Sequence, residues 1–295
     1  MIKSPLRYPG GKSRAVKYLS QFMPKFKELR EPFFGGGSVS FYYVQNNPSA
    51  TFFASDLNYE LYCFWNELKK SKDKLIREIT LIKESYNDGR KLYKEIMERR
   101  NDDLTCLQRA VDFFILNRIT FSGIADSGGY SEQSFYKRFT DSSIERLETA
   151  YDIVKRIEFS NSGYEELIDK PGNDIFIFLD PPYYSTTNSK LYGKNGDLHT
   201  NFDHIKFFET LKKCKHNFLI TYDNDEFIKN LWSDFYQVEW QLQYGMNNYK
   251  KGHCETGSEL LITNYPLKEV NSYFPLIKSK SASKIKITIN PIATY

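Results

Sequence analysis

The sequence predicts an α/β protein with a mostly parallel, doubly wound sheet. Short apolar runs of strand length alternate with helical patterns at the start of the chain and again after residue 158. The run at 175–179, IFIFL, is apolar throughout, which is typical of a strand buried on both faces. Between these parts, charged amphipathic runs predict helices. We therefore predict a sheet domain of 1–58 and 159–270, an inserted helical domain of 59–158, and a C-terminal extension of 271–295.

The first α/β segment carries two glycine clusters. Residues 8–13 read YPGGKS, but Leu6 stands where a phosphate-binding P-loop needs its first glycine, which argues against ATP binding. Residues 31–38 read EPFFGGGS and lie between a short predicted strand and a predicted helix at 39–44. Glycines there let backbone pass close to a ligand, although a tight turn without a ligand is an equally good interpretation.

An acid follows the second predicted strand, 51–55. In nucleoside-binding sheets an acid at this place usually binds the ribose hydroxyls, and Asp56 has the spacing from the glycines that one β-α-β unit requires. The two features together indicate a nucleoside site.

The helical segment contains a loop that suits nucleic acid. Predicted helices occupy 61–86, 104–119 and 142–157, the last capped by Ser142 or Ser143. The loop at 122–131, SGIADSGGYS, lies between basic residues and could contact phosphates and base edges; a solvated loop is the alternative.

The last α/β segment contains the most informative motif of the chain. Strands are predicted at 157–160, 175–179, 218–222 and 259–263, with a helix at 205–215 and a long polar loop at 184–200 of the kind that often closes over substrate. Asp180, Pro181, Pro182 and Tyr183 follow the apolar strand 175–179 directly. Ligands bind at this edge of such sheets. Asp180 and the Pro181 carbonyl could accept hydrogen bonds from the two N–H groups of an exocyclic amine, while Tyr183 stacks on the base. The alternative interpretation is an ordinary turn that ends the strand.

Composition narrows the classes of protein. A net charge of +4 permits a nucleic-acid partner without requiring one. The four cysteines are scattered and none has structural-zinc spacing, so we predict no metal site. We see neither a membrane-spanning run nor a signal-peptide core, which predicts a soluble, cytoplasmic protein.

Three motifs, SPLRYPGGK, EPFFGGGSVSF and FLDPPYY, resemble those of the Dam-type, alpha-class (D12) adenine-N6 DNA methyltransferases and occur in that family's order. The resemblance covers roughly residues 3 to 265 and implies a Rossmann-like class I methyltransferase fold with a helical target-recognition domain. It implies S-adenosylmethionine as cofactor, bound by Tyr8, Lys12, Phe34, Gly35, Gly37, Asp56, Tyr164 and Asp180. It also implies that Asp180 to Tyr183 hold the target adenine. The loop at 122–131 and the residues that flank it lead us to expect DNA contacts at Asn117, Arg118, Ser122 and Arg138.

The chain departs from the family pattern at two places. Many relatives carry an acid where Gly163 stands, so the contact to the cofactor adenine amine is in question. Enzymes specific for GATC usually have an Arg/Tyr-rich run and an FNVP-like stretch where this chain reads FSGIADSGGYSEQSFYKRF, so another short adenine-containing site is expected.

The resemblance leaves some alternatives open. The same amine geometry would serve cytosine-N4 methylation, although those enzymes more often carry Ser at the position of Asp180. RNA or protein-glutamine methylation is less compatible, and a non-catalytic DNA-binding module is the alternative from another class. The expected partner is double-stranded DNA, with a cognate restriction endonuclease only in a restriction–modification system, and we expect a monomer or weak dimer.

Overall fold

The computed structural model describes residues 1–184, 202–243 and 256–267. Except for Tyr184, the predicted loop over 184–200 lies outside the described residues, as does the predicted extension 271–295.

The described strands form one sheet in the order β3-β2-β1-β4-β5-β7-β6. The first five strands are mutually parallel, and β7 runs antiparallel to both β5 and β6. This confirms the predicted mostly parallel α/β sheet. The strands are β1 (Glu28–Glu31), β2 (Thr51–Ser55), β3 (Ile157–Ser160), β4 (Ile175–Leu179), β5 (Asn217–Asp223), β6 (Tyr236–Gln243) and β7 (Thr256–Thr263).

The strand order reverses between β1 and β4. The chain runs outward from β1 to β2 and β3, then returns to place β4 on the other side of β1. In register, Glu28 of β1 pairs with Ile175 of β4, so the carboxyl ends of both strands open at the same edge. Such a switch point is where open α/β sheets bind ligands.

Helices cover both faces of the sheet, so the predicted double winding is confirmed. The helices are α1 (Val16–Leu19), α2 (Ser38–Asn46), α3 (Tyr59–Lys70), α4 (Lys72–Ser85), α5 (Gly89–Arg99), α6 (Cys106–Ile119), α7 (Glu132–Arg138), α8 (Asp141–Val154), α9 (Tyr164–Asp169), α10 (His204–Lys212) and α11 (Glu226–Leu231). Residues of α1 to α8 pack on one face and residues of α9 to α11 on the other. β4 serves both cores because its side chains alternate, with Phe176 and Phe178 on the first face and Ile177 and Leu179 on the second.

The segment 59–158 is helical, as predicted, and packs directly on the sheet. Trp65 of α3 donates from Nε1 to the Gly35 carbonyl at 3.0 Å and stacks on Phe159 of β3 at 6.3 Å. Helices of this segment and strands of the sheet share one core. The division into a sheet domain and a helical target-recognition domain therefore stays a prediction about their functions. Among the described helices, none has the length and apolar character needed to cross a membrane.

Two local predictions need correction. Helix α8 begins at Asp141 with Thr140 as its N-cap, not Ser142 or Ser143. Ser143 takes another part in the cap, because its Oγ accepts from Thr140 N at 3.2 Å. Strand β6 is absent from the predicted elements, although Val238, Trp240 and Leu242 alternate with polar residues as a half-buried strand requires.

Candidate active site

Asp180 is the first residue after the central strand β4, at the switch point. Its Oδ1 accepts a hydrogen bond from Thr221 Oγ1 of β5 at 2.6 Å. Lys12 Nζ lies 2.8 Å from Oδ1 and 3.0 Å from Oδ2. The Asp180 side chain is still 22 % exposed. The protein therefore orients this carboxylate while leaving it accessible to a ligand.

Lys12 joins the N-terminal segment to the Asp180–Tyr183 turn. Its side chain is 3 % exposed, and Nζ also donates to the Gly10 carbonyl at 3.2 Å. Burial lowers the pKa of an ammonium group, but the carboxylates of Asp180 and Glu259 outweigh this effect and raise the pKa of Lys12. Lys12 is therefore a buried cation held by acids.

The Tyr183 ring lies next to this ion pair. Lys12 Nζ is 5.0 Å from the ring centroid, and the ring of Tyr222 is 6.3 Å away. Burial raises the pKa of Tyr183 well above its ordinary value, so the hydroxyl is neutral. Pro181 and Pro182 precede it and restrict the backbone of the turn. The structure therefore brings together the acid, the two prolines and the ring that the sequence motif contains.

The glycine turn, Gly35–Gly37, follows β1. It lies beside the Asp180–Tyr183 turn because β1 and β4 are neighbouring parallel strands. Gly35 and Gly37 have φ angles of 49° and 66°, in the left-handed region that favours glycine. A Cβ at Gly35 would lie 2.7 Å from Tyr8 Cε1, so the Tyr8 ring closes on the turn. Phe34 is 2 % exposed and packs edge-on to Trp65 at 5.3 Å. Phe34 therefore supports the turn from the core, and the half-buried Tyr8 offers the aromatic face.

Asp56 is joined to the glycine turn. Its Oδ2 accepts from Gly35 N at 2.9 Å, and its Oδ1 accepts from Asn58 N at 3.0 Å. Burial raises the pKa of Asp56 to about 6, against the opposite effect of these two bonds. Each carboxylate oxygen has a second lone pair, so Asp56 can still accept hydrogen bonds from a diol.

Glu31 is a site residue that sequence reasoning did not single out. It ends β1 and is 3 % exposed, and its Oε2 accepts from Ser40 N at 3.0 Å and from Ser40 Oγ at 2.5 Å. Burial raises the pKa of Glu31 to about 8. The sequence signal for Glu31 was its position, since it is an acid at the end of a predicted strand and shortly before the glycine turn.

Tyr164 is the first residue of α9. It is 8 % exposed, and its ring stacks on Phe33 at 5.7 Å. Gly163 is the N-cap of α9, and a Cβ there would meet Glu165 Oε2 at 2.6 Å. Tyr164 therefore supports Phe33, which is the more exposed ring of the pair.

Two of the predicted DNA-binding residues are buried. Asn117 and Arg118 are 1 % and 2 % exposed. Asn117 accepts from Arg7 N at 3.0 Å and donates to the carbonyls of Arg7 and Gly123 at 2.8 and 2.7 Å, and Arg118 donates to the Pro5 carbonyl. In this position they cannot offer their side chains to DNA. They hold the N-terminal segment against the glycine-rich loop instead.

The other two predicted DNA-binding residues are accessible. Ser122 is partly exposed with a φ of 56°, and Arg138 is exposed. Phe121, which sequence reasoning did not select, is 61 % exposed at the start of the loop. Large exposed apolar side chains beside a polar loop are typical of binding surfaces.

A group of arginines lies close to this loop. Burial lowers the pKa of Arg118 to about 9, and repulsion from the nearby Arg146, Arg7 and Arg138 contributes to this shift. Arg138 likewise lowers the pKa of the partly buried Arg7, after burial itself. Repulsion of this kind marks a concentration of positive charge, which favours anions such as phosphate.

The sheet, its switch point and the paired glycine and Asp-Pro-Pro-Tyr turns define a Rossmann-like methyltransferase. The chain belongs to the D12 class N6 adenine-specific DNA methyltransferase family, whose sequence profile matches residues 8–246. This family acts on DNA, and membership implies dependence on S-adenosylmethionine.

Several curated relatives are similar to the chain. The type II methyltransferase M.MjaIII of Methanocaldococcus jannaschii is 24 % identical over 290 residues, covering 90 % of this chain and 99 % of the relative. A DNA adenine methylase of Vibrio cholerae is 28 % identical over 199 residues, covering 65 % and 70 %. The type II methyltransferase M.CviBI of Paramecium bursaria Chlorella virus NC1A is 24 % identical over 274 residues, covering 90 % and 99 %.

Proposed function

We propose that this enzyme transfers a methyl group from S-adenosylmethionine to N6 of an adenine flipped out of a short duplex site. The observation that supports this most directly is the position of Asp180. It is oriented by Thr221 and Lys12 at the switch point, beside the glycine turn that follows β1.

The residues of the cleft fit the cofactor. Gly35 and Gly36 have no room for a side chain, because a Cβ at Gly35 would lie 2.7 Å from Tyr8 Cε1 and a Cβ at Gly36 would lie 2.8 Å from Tyr8 Cβ. The Tyr8 side chain can therefore pack directly on the backbone of the glycine turn. Asp56 would bind the ribose hydroxyls, and Tyr8 and Phe33 would contact the flat parts of the molecule. When bound, S-adenosylmethionine supplies an electrophilic methyl group on a sulfonium centre.

The acceptor side would depend on hydrogen bonds from the target amine. The lone pair of adenine N6 is delocalised into the ring, so the amine is a poor nucleophile. Asp180 and the Pro181 carbonyl would accept its two N–H bonds and thereby localise the lone pair toward the methyl donor. Positioning and electrostatics would supply the acceleration, because the catalytic groups are fixed before substrate arrives.

Base extrusion would rely on aromatic surface and positive charge. Tyr183 offers a ring on which the extruded adenine could stack, which offsets part of the unstacking energy. Arg7, Arg138 and Arg146 would contact phosphates. Phe121 would insert beside the bases at the site, as apolar wedges do in other DNA-binding proteins.

Membership of the family bears on the two main alternatives, cytosine-N4 methylation and a non-catalytic DNA-binding module. The adenine-specific family argues against cytosine-N4 methylation and against a non-catalytic module. We further infer a monomer or weak dimer located in the cytoplasm, with a restriction endonuclease partner only where the enzyme belongs to a restriction–modification system. Sedimentation of the purified protein would test the oligomeric state. A nuclease assay on the product of a neighbouring gene would test the restriction endonuclease partner.

Transfer of label from tritiated S-adenosylmethionine to duplex DNA tests the proposed reaction. We expect the label in N6-methyladenine within one short sequence context, identified by nucleoside analysis and mapping. Label in N4-methylcytosine would refute the assigned base, and label only in RNA or protein would refute the assigned substrate.

A further inference from the structure

Glu259 is a buried carboxylate to which the proposed reaction gives no role. It lies on β7 and is 1 % exposed, its side-chain oxygens make no well-formed hydrogen bond to a described residue, and the Tyr183 hydroxyl lies close enough to lower its pKa. A buried carboxylate without such partners is costly in a folded protein. Its burial raises the pKa of Glu259 to about 7, although the Lys12 ammonium lowers it.

The sheet register places Glu259 on the same face as the Asp180 network. Glu259 pairs with Asp223 of β5 and with Trp240 of β6. Thr221, the residue that bonds Asp180, is two positions from Asp223 on β5 and so has its side chain on the same face. Among the described residues, the charged and titratable groups that act on Glu259 are Lys12, Asp180, Asp223 and Tyr183.

The Lys12 ammonium therefore interacts with two acids, by hydrogen bonds with Asp180 and by electrostatic attraction with Glu259. It is bonded to both oxygens of Asp180 and lies 5.0 Å from the centroid of the Tyr183 ring. Asp180 and Tyr183 are the two side chains that are proposed to hold the target adenine. A carboxylate neutralised by an ammonium is a weaker acceptor for a neutral amine, so Lys12 in this position opposes adenine binding.

We propose that Lys12 exchanges partners during the reaction, leaving Asp180 for Glu259 when the target amine binds. Glu259 is thus a positioning residue that acts through Lys12. Among the described residues, no well-formed hydrogen bond occupies its two oxygens, which leaves them as acceptors for the second position of the ammonium. This inference rests on the proposed function, since it assigns Asp180 to the target amine.

Substitution of Glu259 tests the exchange in single-turnover methylation with saturating duplex and cofactor. For Glu259→Gln, which keeps the shape and removes the charge, we expect a rate at least tenfold lower at pH 8, with cofactor affinity changed less than twofold. Glu259→Asp should give an intermediate rate. Glu239→Gln on β6 is the matched control, because Glu239 pairs with Lys229 outside the site.

Two readouts separate positioning from a structural role. The wild-type rate should rise as Glu259 ionises through a pH of about 7, and Glu259→Gln should lose this rise. In a Lys12→Met background, Glu259→Gln should have no further effect, because its action requires Lys12. A wild-type pH profile in Glu259→Gln, or additive effects of the two changes, would overturn the proposal.

A measurement on the unaltered protein does not depend on variants folding. Crystal structures with a non-reactive S-adenosylmethionine analogue, without and with duplex DNA, should show Lys12 Nζ on Asp180 in the first and on Glu259 in the second. Lys12 remaining on Asp180, or moving to the analogue instead, would contradict the exchange. Absence of N6-methyladenine formation by the wild-type enzyme would instead refute the proposed function, so the two failures are distinguishable.

Discussion

Asp56 Oδ2 accepts a hydrogen bond from Gly35 N at 2.9 Å, which joins the carboxyl ends of β1 and β2. This hydrogen bond fixes the glycine turn. In the proposed complex this carboxylate binds the ribose hydroxyls.

We expect Asp56→Asn to weaken cofactor binding by about 10- to 100-fold, the range for hydrogen bonds to a charged group. Because burial raises the pKa of Asp56 to about 6, wild-type affinity should fall as pH is lowered through that value. Calorimetric titration from pH 5 to 8 measures both effects. Equal affinities of the two proteins at pH 8 would remove Asp56 from the cofactor site.

Asp180→Ala should reduce methyl transfer by about 100-fold or more, as removal of a preorganised charge-stabilising group does elsewhere. Cofactor and DNA binding should be retained at least in part, because the glycine turn and the arginine group do not depend on Asp180. Single-turnover rates and separate binding titrations test this. Retained turnover would remove Asp180 from its assigned role.

Arg138→Ala and Arg146→Ala should each weaken DNA binding without changing cofactor affinity. If each arginine contacts one phosphate, each change should reduce the slope of log K against log salt by about 1. Lys229→Ala is a control, because Lys229 is paired with Glu226 and Glu239. Salt slopes equal to the wild-type value in both arginine variants would place the phosphate contacts elsewhere.

Phe121→Ala should lower the rate of base extrusion more than it lowers DNA affinity. The side chain is 61 % exposed, so its removal leaves the fold intact and Leu81→Ala, at 50 % exposed, is a suitable control. Fluorescence of 2-aminopurine at the target position reports extrusion. An unchanged fluorescence rise would exclude Phe121 from that step.

Glu31→Gln should make the protein more stable at high pH. Burial raises the folded-state pKa of Glu31 to about 8, so the folded state binds the proton more tightly than the unfolded state. Stability is therefore greatest below the unfolded-state pKa and falls as pH rises through the folded-state value. Each unit of pKa difference corresponds to about 1.4 kcal/mol, so the loss amounts to several kcal/mol. Urea unfolding at pH 5 and pH 9 should give equal stabilities at the lower pH and a more stable variant at the higher.

The parts of the site that local chemistry encodes were predictable from the sequence. Asp180 to Tyr183 form one short motif directly after a predicted strand and the glycines at 35 and 37 form another, so each could be found locally, although each also allowed an ordinary turn. Asn117 and Arg118 were harder to interpret, because their burial depends on the path of an N-terminal segment more than 100 residues away. The role of Glu259 is still harder to predict, because Lys12 and Asp180 are distant from it in the sequence and come close to it only when the strands are ordered in the sheet.

The helical segment 59–158 joins β2 to β3, which are adjacent parallel strands at one end of the sheet. A connection at the sheet margin can lengthen or change composition without altering the partners of any other strand. If the predicted division holds, with target recognition in this segment and methyl transfer at the centre of the sheet, DNA specificity can change during evolution while the chemistry is retained. Exchange of the segment between relatives offers protein engineers the same freedom, provided that the contacts of Trp65 with the glycine turn are kept.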